Sequence, residues 1–186
     1  ELGKTCYYID YPDLKIIALN SNVAIRRQAK WLREVLKKNE KKWTIVTYHH
    51  PVFSASSMRN NKEIRSQWQP IFEEFNLDLA LQGHDHTYAR GAIYEKPVMV
   101  KNDVEGNNIV GPVYVVSVSG AKMYSLDKSG WDKFGATQGK TGERIQLFQH
   151  ISINGDRLIY RSFDATGDLF DRFELLKENG KNKYID

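Results

Sequence analysis

Two stretches decide how this chain folds: Trp43-Thr44-Ile45-Val46-Thr47-Tyr48-His49-His50-Pro51 and Leu77-Asp78-Leu79-Ala80-Leu81-Gln82-Gly83-His84-Asp85-His86. Each is a short apolar run that ends in histidine. Runs of this length bounded by turn residues read as strands buried on both faces, the pattern of parallel pairing. Between them, about Lys62–Phe75 carries Ile64, Trp68, Ile71, Phe72 and Phe75 at helical spacing. Pro70 inside that segment predicts a kink or an early stop. Upstream, Val23–Lys38 places Ile25, Ala29, Leu32, Val35 and Leu36 on one stripe with Arg and Lys opposite, and Asn20-Ser21-Asn22 offers N-cap side chains. Cys6–Ile9 and Leu14–Leu19 are β-rich runs flanking the turn Asp10-Tyr11-Pro12-Asp13. Strands alternating with helices in this order predict the α/β class, a mixed sheet with crossover helices.

Beyond residue 88 the pattern changes. Val113–Ser119, Arg144–Ile153, Leu158–Asp164 and Leu169–Leu176 alternate or run apolar, and Asn154-Gly155-Asp156 and Ala165-Thr166-Gly167-Asp168 are good hairpin connections. Antiparallel strands are expected here. Gly120–Gly142 has little pattern and reads as a long loop with Trp131 and Phe134 tucked onto the body. No repeat, low-complexity tract or linker divides residues 1–186, which read as part of one domain.

Composition limits the function classes. With 41% hydrophobic and 27% charged residues, a buried core is feasible. The net charge of +4 is modest and the lysines are scattered, so no nucleic-acid partner is expected. No run approaches about 18 consecutive apolar residues, so no membrane-spanning segment is expected. Cys6 is the only cysteine, which excludes an internal disulfide framework and a thiolate metal site.

The histidines carry the chemistry. Open α/β sheets bind ligands beyond the carboxyl ends of their strands, which is where His49, His84 and His86 fall. On an extended backbone His84 and His86, two apart, would point the same way, and Gly83 would allow a sharp turn before them. Imidazoles converging from adjacent strand ends suit a transition-metal centre. His150, flanked by Gln149 and Ile151, reads as an ordinary surface residue. No Asp/Asn cluster that would complete such a centre appears upstream; Asp10 and Asp13 are turn residues.

The stretch Trp43–Pro51, with its His49-His50-Pro51 ending, and Leu79–Arg90, with Gly83-His84-Asp85-His86, resemble the last two motifs of the calcineurin-like metallophosphoesterases. The Gln28…Trp31-Leu32 helix and the Val113–Tyr124 segment, with its Ser-Val-Ser-Gly-Ala-Lys-Met-Tyr ending, are similar to the purple acid phosphatase branch. The resemblance covers about residues 5 to 176 and implies the C-terminal half of an αββα sandwich. The family's aspartate- and asparagine-bearing motifs normally precede this region and supply a metal-bridging aspartate. The chain is therefore expected to lack the N-terminal half of its domain, a partner it needs, and to be inactive alone.

The resemblance further implies a phosphoester substrate hydrolysed by a two-metal-activated hydroxide, with Fe, Zn or Mn as the ions. His49 and His84 would bind one ion and His86 the other. His50 and Arg59 are the candidates for catalytic contact. His50 would either support the ligands or simply pack, and Arg59 would either grip phosphate oxygens or form a surface salt bridge. Tyr88 and Arg90 are expected to brace the Gly-His-Asp-His turn. The competing reading is a non-catalytic α/β binding module, with a structural metal or none.

Overall fold

The two histidine-ended runs lie side by side as parallel strands in the computed structural model, which describes Leu2 and residues 4–95, 107–127 and 129–186. In chain order the first elements are β1 (Tyr7–Asp10), β2 (Leu14–Ala18), α1 (Ile25–Lys37), β3 (Trp43–Thr47), α2 (Lys62–Glu74) and β4 (Leu79–Gln82). There follow β5 (Tyr88–Tyr94), β6 (Asn107–Val116), a 3-10 turn at Asp132–Phe134, β7 (Thr137–Gly142), β8 (Leu147–Asn154), β9 (Arg157–Asp164), β10 (Leu169–Glu178) and β11 (Lys181–Ile185). The strands join into one mixed sheet in the order β1-β2-β3-β4-β6-β11-β10-β9-β8, with β5 and β7 branching from β6. This is an α/β fold, as the strand–helix alternation predicts.

The parallel centre is β2-β3-β4-β6, with Thr47 opposite Leu81 and Gln82 opposite Val116. Successive side chains of a strand face opposite sides of the sheet. Trp43 and Ile45 accordingly join one core with Leu79, Val113, Tyr160 and Phe173. Val46 joins the other, against Leu32, Leu36, Trp68 and Phe72 of the helices. The Trp68 indole is fully buried and donates to the Ile25 carbonyl at 3.1 Å, tying α2 to the start of α1. A fully buried side chain of this kind contributes on the order of 2–3 kcal/mol through apolar area alone. The sheet folds over itself beyond β6, so β9 and β10 cover the face opposite the helices. Between the layers a groove of about 420 Å³ is lined by Leu14, Ile16, Ile45, Leu81, Ile151 and Ile153.

Several expectations need correction. β6 pairs in parallel with β4 as well as antiparallel with β5 and β11, so it joins the central sheet to the antiparallel half, and Val113–Val116 is buried on both faces. The stretch read as one long loop, Gly120–Gly142, contains β7, which is mostly exposed and finds its only strand partner in β5 among the described residues. Trp131 is fully buried as expected, and Phe134 is half-buried. Helix α2 runs through Pro70 to Glu74. Pro70 is on its exposed side, where water can satisfy the carbonyl left without a donor.

Candidate metal centre at the strand ends

Parallel register builds the site. His49 and His84 each lie two residues past the ends of the neighbours β3 and β4, and the Gly83 N–H donates to the His49 carbonyl at 3.0 Å. The imidazoles meet there, with His84 Nδ1 3.0 Å from His49 Nε2. His50 closes the group: its ring centroid lies 4.1 Å from that of His84 and 4.8 Å from that of His49. One nitrogen of each of the three rings lies within 4.8 Å of the others. His86 is not part of this group. Its Nδ1 lies 2.7 Å from the Lys122 carbonyl oxygen, and its ring is 5.0 Å from that of Tyr124.

The end of β2 contributes a residue that sequence reading assigned elsewhere. Ser21 does not cap α1, whose N-cap is Ala24 at φ 53° with no side-chain bond. Its Oγ accepts the His50 backbone N–H at 2.9 Å and lies 2.9 Å from His50 Nδ1. Gln28 shapes this loop by accepting from the Asn20 N–H and donating to the Asn20 and Val23 carbonyls. No local signal in the sequence marks Ser21 for this role, because its partner lies 29 residues along the chain. Gln82 holds the next loop, accepting at Oε1 from the Tyr48 hydroxyl and the Val52 N–H.

The Gly-His-Asp-His segment is a turn and not an extended pair. His84 and His86 both adopt left-handed backbone angles, φ 70° and 53°, so they supply the bend that was assigned to Gly83. A Cβ at Gly83 would meet only ordinary contacts, 3.7 Å from the His49 ring. Left-handed conformations at non-glycine residues cost on the order of 1 kcal/mol or more and persist where surroundings over-determine them. Asp85 does that here. Its carboxylate is wholly buried and accepts from the Ala55 N–H at 2.6 Å and the Ser54 hydroxyl at 2.8 Å.

Arg59 completes the clasp. Its Nη1 donates to the His84 carbonyl at 2.6 Å and lies 3.4 Å from Asp85 Oδ1. Its side chain is a quarter exposed and its guanidinium sits 5.1 Å over the Tyr124 ring. Arg59, Tyr124, Ser56, Ser57 and Met58 line a cavity of about 350 Å³. Arg59 thus braces the turn and faces a cavity.

The donor set fits a metal. Burial pulls the His84 imidazole down to about 4, helped by the positive charge of His50, Arg59 and His49 nearby. Burial also lowers His50, with His49 and Arg59 adding to the effect and Asp85 opposing it. Neutral imidazole is the form that ligates. In the metal-free chain, a histidine-resolved NMR titration is expected to place His84 near pH 4. Because 4 lies below the ordinary 6.5, the unfolded chain binds more protons in that window, so this group's contribution to stability falls as pH drops from 6.5 through 4. A His84 midpoint at 6.5 or above would contradict this.

Residues 3–88 match the family model of the calcineurin-like phosphoesterases. That segment is similar to the phosphoesterases of this family. The relatives that it resembles include purple acid phosphatases. Purple acid phosphatase 4 of Arabidopsis thaliana is 38% identical over 63 residues, covering 34% of this chain and 19% of that protein. Purple acid phosphatase 7 of the same plant is 24% identical over 144 residues, 77% of this chain and 38% of that protein. Purple acid phosphatase PPD1 from yellow lupin superposes with TM-score 0.72 at 16% identity, over 94% of this chain and 33% of its own. The chain therefore spans well under half the length of these relatives.

Proposed function

We propose that this chain supplies the histidine side of a metal-dependent phosphoester hydrolase site. The observation that carries the reading is the 3.0 Å approach of His84 Nδ1 to His49 Nε2 at adjacent carboxyl ends of parallel strands. In this reading His49 and His84 hold one ion and His86 a second. The ions, Fe, Zn or Mn, would supply Lewis-acid charge neutralisation and an activated water. The protein's own part is positioning. Asp85 and Arg59 fix the turn that carries His84 and His86, and Ser21 orients His50 beside the pair. Arg59 also brings a permanent positive charge to the cavity wall, where an anionic ester would lie.

Among the described residues no carboxylate joins the clustered imidazoles. Two ions need a bridging ligand, so the 186 residues alone should hydrolyse p-nitrophenyl phosphate weakly or not at all with Mn²⁺, Zn²⁺ or Fe. Joined in one polypeptide to a segment bearing the missing carboxylates, the chain should show metal-dependent hydrolysis that His84→Ala abolishes. Activity surviving His84→Ala would reject the ligand assignment. Robust turnover by the 186 residues alone would reject the need for a second half.

A further inference from the structure

The geometry points to an anion-binding subsite in the cavity beside the Gly-His-Asp-His turn, which receives a second negatively charged group carried by the leaving group of the ester. The substrates are then small phosphoesters with a further phosphate or carboxylate close to the scissile phosphate. The substrate assignment rests on the hydrolase reading, whereas the anion site itself stands on residues outside the imidazole cluster.

The cavity is a built space between two loops. Residues 51–61 follow β3 and residues 117–127 follow β6. Ser56 and Leu126 join the loops through an antiparallel bridge, and the Asp127 N–H donates to the Ala55 carbonyl at 2.7 Å. The buried Trp131 indole fixes the first loop by donating to the Ser54 carbonyl at 3.1 Å. These contacts frame about 350 Å³, at the small end of the range for ligand cavities. Met58 is fully exposed at φ 61°, so its side chain does not fill the space.

The lining suits an anion. Ser56, Ser57, Tyr124 and Ser125 each bring a hydroxyl that can donate a hydrogen bond. Two cations stand at the same phenol: the Arg59 guanidinium lies 5.1 Å from the Tyr124 ring and the Lys122 ammonium 5.3 Å from it. Both Arg59 contacts to the turn use Nη1, and a guanidinium has further N–H donors at Nε and Nη2. Among the described residues no carboxylate lines the cavity. The nearby Asp85 is buried and already accepts from Ala55, Ser54 and Arg59. Two like charges brought together repel, and an anion held by charge-assisted bonds to both relieves that repulsion.

Position ties the pocket to the ester. The Tyr124 N–H donates to the His86 carbonyl at 3.2 Å, and its ring lies 5.0 Å from the His86 ring. A phosphate held at the ion assigned to His86 therefore lies beside the cavity wall. A compact leaving group then carries its own charge into the pocket.

The test begins with inorganic phosphate and the metal-free 186-residue chain at low ionic strength, followed by amide-resolved NMR. Saturable shifts are expected at Ser56, Ser57, Tyr124 and Ser125. Lys122→Gln and Arg59→Gln should each weaken this binding about tenfold, as loss of one hydrogen bond to a charged group implies. The Lys122 backbone carbonyl, which holds His86 Nδ1 at 2.7 Å, is untouched by its substitution. Lys133→Gln, whose ammonium bonds Ser129, should leave phosphate affinity unchanged. If circular dichroism shows Arg59→Gln unfolded, Lys122→Gln and Ser125→Ala carry the comparison. Shifts confined to His49 and His84, or equal affinity in folded Lys122→Gln, would overturn the subsite. The second arm uses the metal-loaded joined polypeptide with phenyl phosphate and 3-carboxyphenyl phosphate, whose leaving groups differ mainly in charge. The carboxylated ester should have the higher kcat/KM by roughly tenfold, and Lys122→Gln should bring the ratio near one. Equal values in the unsubstituted protein would sink the substrate assignment. Turnover of neither ester, with phosphate still bound in the cavity, would reject the hydrolase reading and uphold the anion site.

Discussion

Asp85→Ala is expected to destabilise the chain by about 2–4 kcal/mol and to weaken metal binding at the strand ends by at least tenfold. The carboxylate is wholly buried. Burial pushes its pKa up, while the Ala55 N–H, the Ser54 hydroxyl and the Arg59 guanidinium pull it down. Removing it strands the buried Ala55 N–H and the Arg59 charge, and leaving such groups unpaired costs more than the bonds themselves contributed. It also frees His84 and His86 from the left-handed angles they hold at φ 70° and 53°. The turn can then relax, and His84 would move away from His49. Urea unfolding measures the first effect and Co²⁺ titration the second. Stability and affinity both unchanged would show that the turn is held by something other than Asp85.

The parts of this molecule that were legible in the sequence share one property: they are buried on both sides. β3 and β4 announce themselves as apolar runs because helices cover one face and β9 and β10 the other. Their parallel register then delivers His49 to His84 with no further information. α1 and α2 were legible from their apolar stripes to within a few residues. What stayed hidden depends on partners far along the chain. β7 is polar because, among the described residues, it pairs only with β5 and buries little, and β11 carries Lys181 and Lys183 although Asn182 and Tyr184 face inward. Ser21 looked like a helix cap because Ser, Asn and helix starts usually go together. A hydroxyl reaching a histidine 29 residues away has no local signature. The same holds for the group at the site: His50 joins His49 and His84 because of where the Ser21 loop lies, which spacing alone does not encode.

Tyr88 and Arg90 were expected to support the histidine turn, and the structure places them in a buried ionic lock some distance behind it. Asp171 of β10 accepts from the Tyr88 hydroxyl at 2.6 Å and from Arg90 Nε and Nη2 at 2.7 and 3.1 Å. Arg90 also bonds the Tyr184 hydroxyl and the Asp186 carboxylate. A register shift in the β9–β10 pairing at Leu169/Asp171 accompanies this contact. Both side chains of the pair are about 95% shielded from solvent, so the pair is bidentate and desolvated. Replacing Asp171 by Ala leaves a buried guanidinium with only the partly exposed Asp186 to balance it, and should cost about 3–5 kcal/mol. Replacing the pair together, as Arg90→Met with Asp171→Leu, removes the stranded charge and should recover much of that loss. Because β5 begins two residues after His86, Asp171→Ala should also perturb the His86 resonance, while the distant Lys42–Asp156 surface pair, mutated as Asp156→Ala, should leave the urea midpoint nearly unchanged. Urea midpoints for the single and double variants decide it. An Asp171→Ala chain within 1 kcal/mol of wild type would mean that β5 is held by its ladder bonds to β6 and β7 and not by the lock.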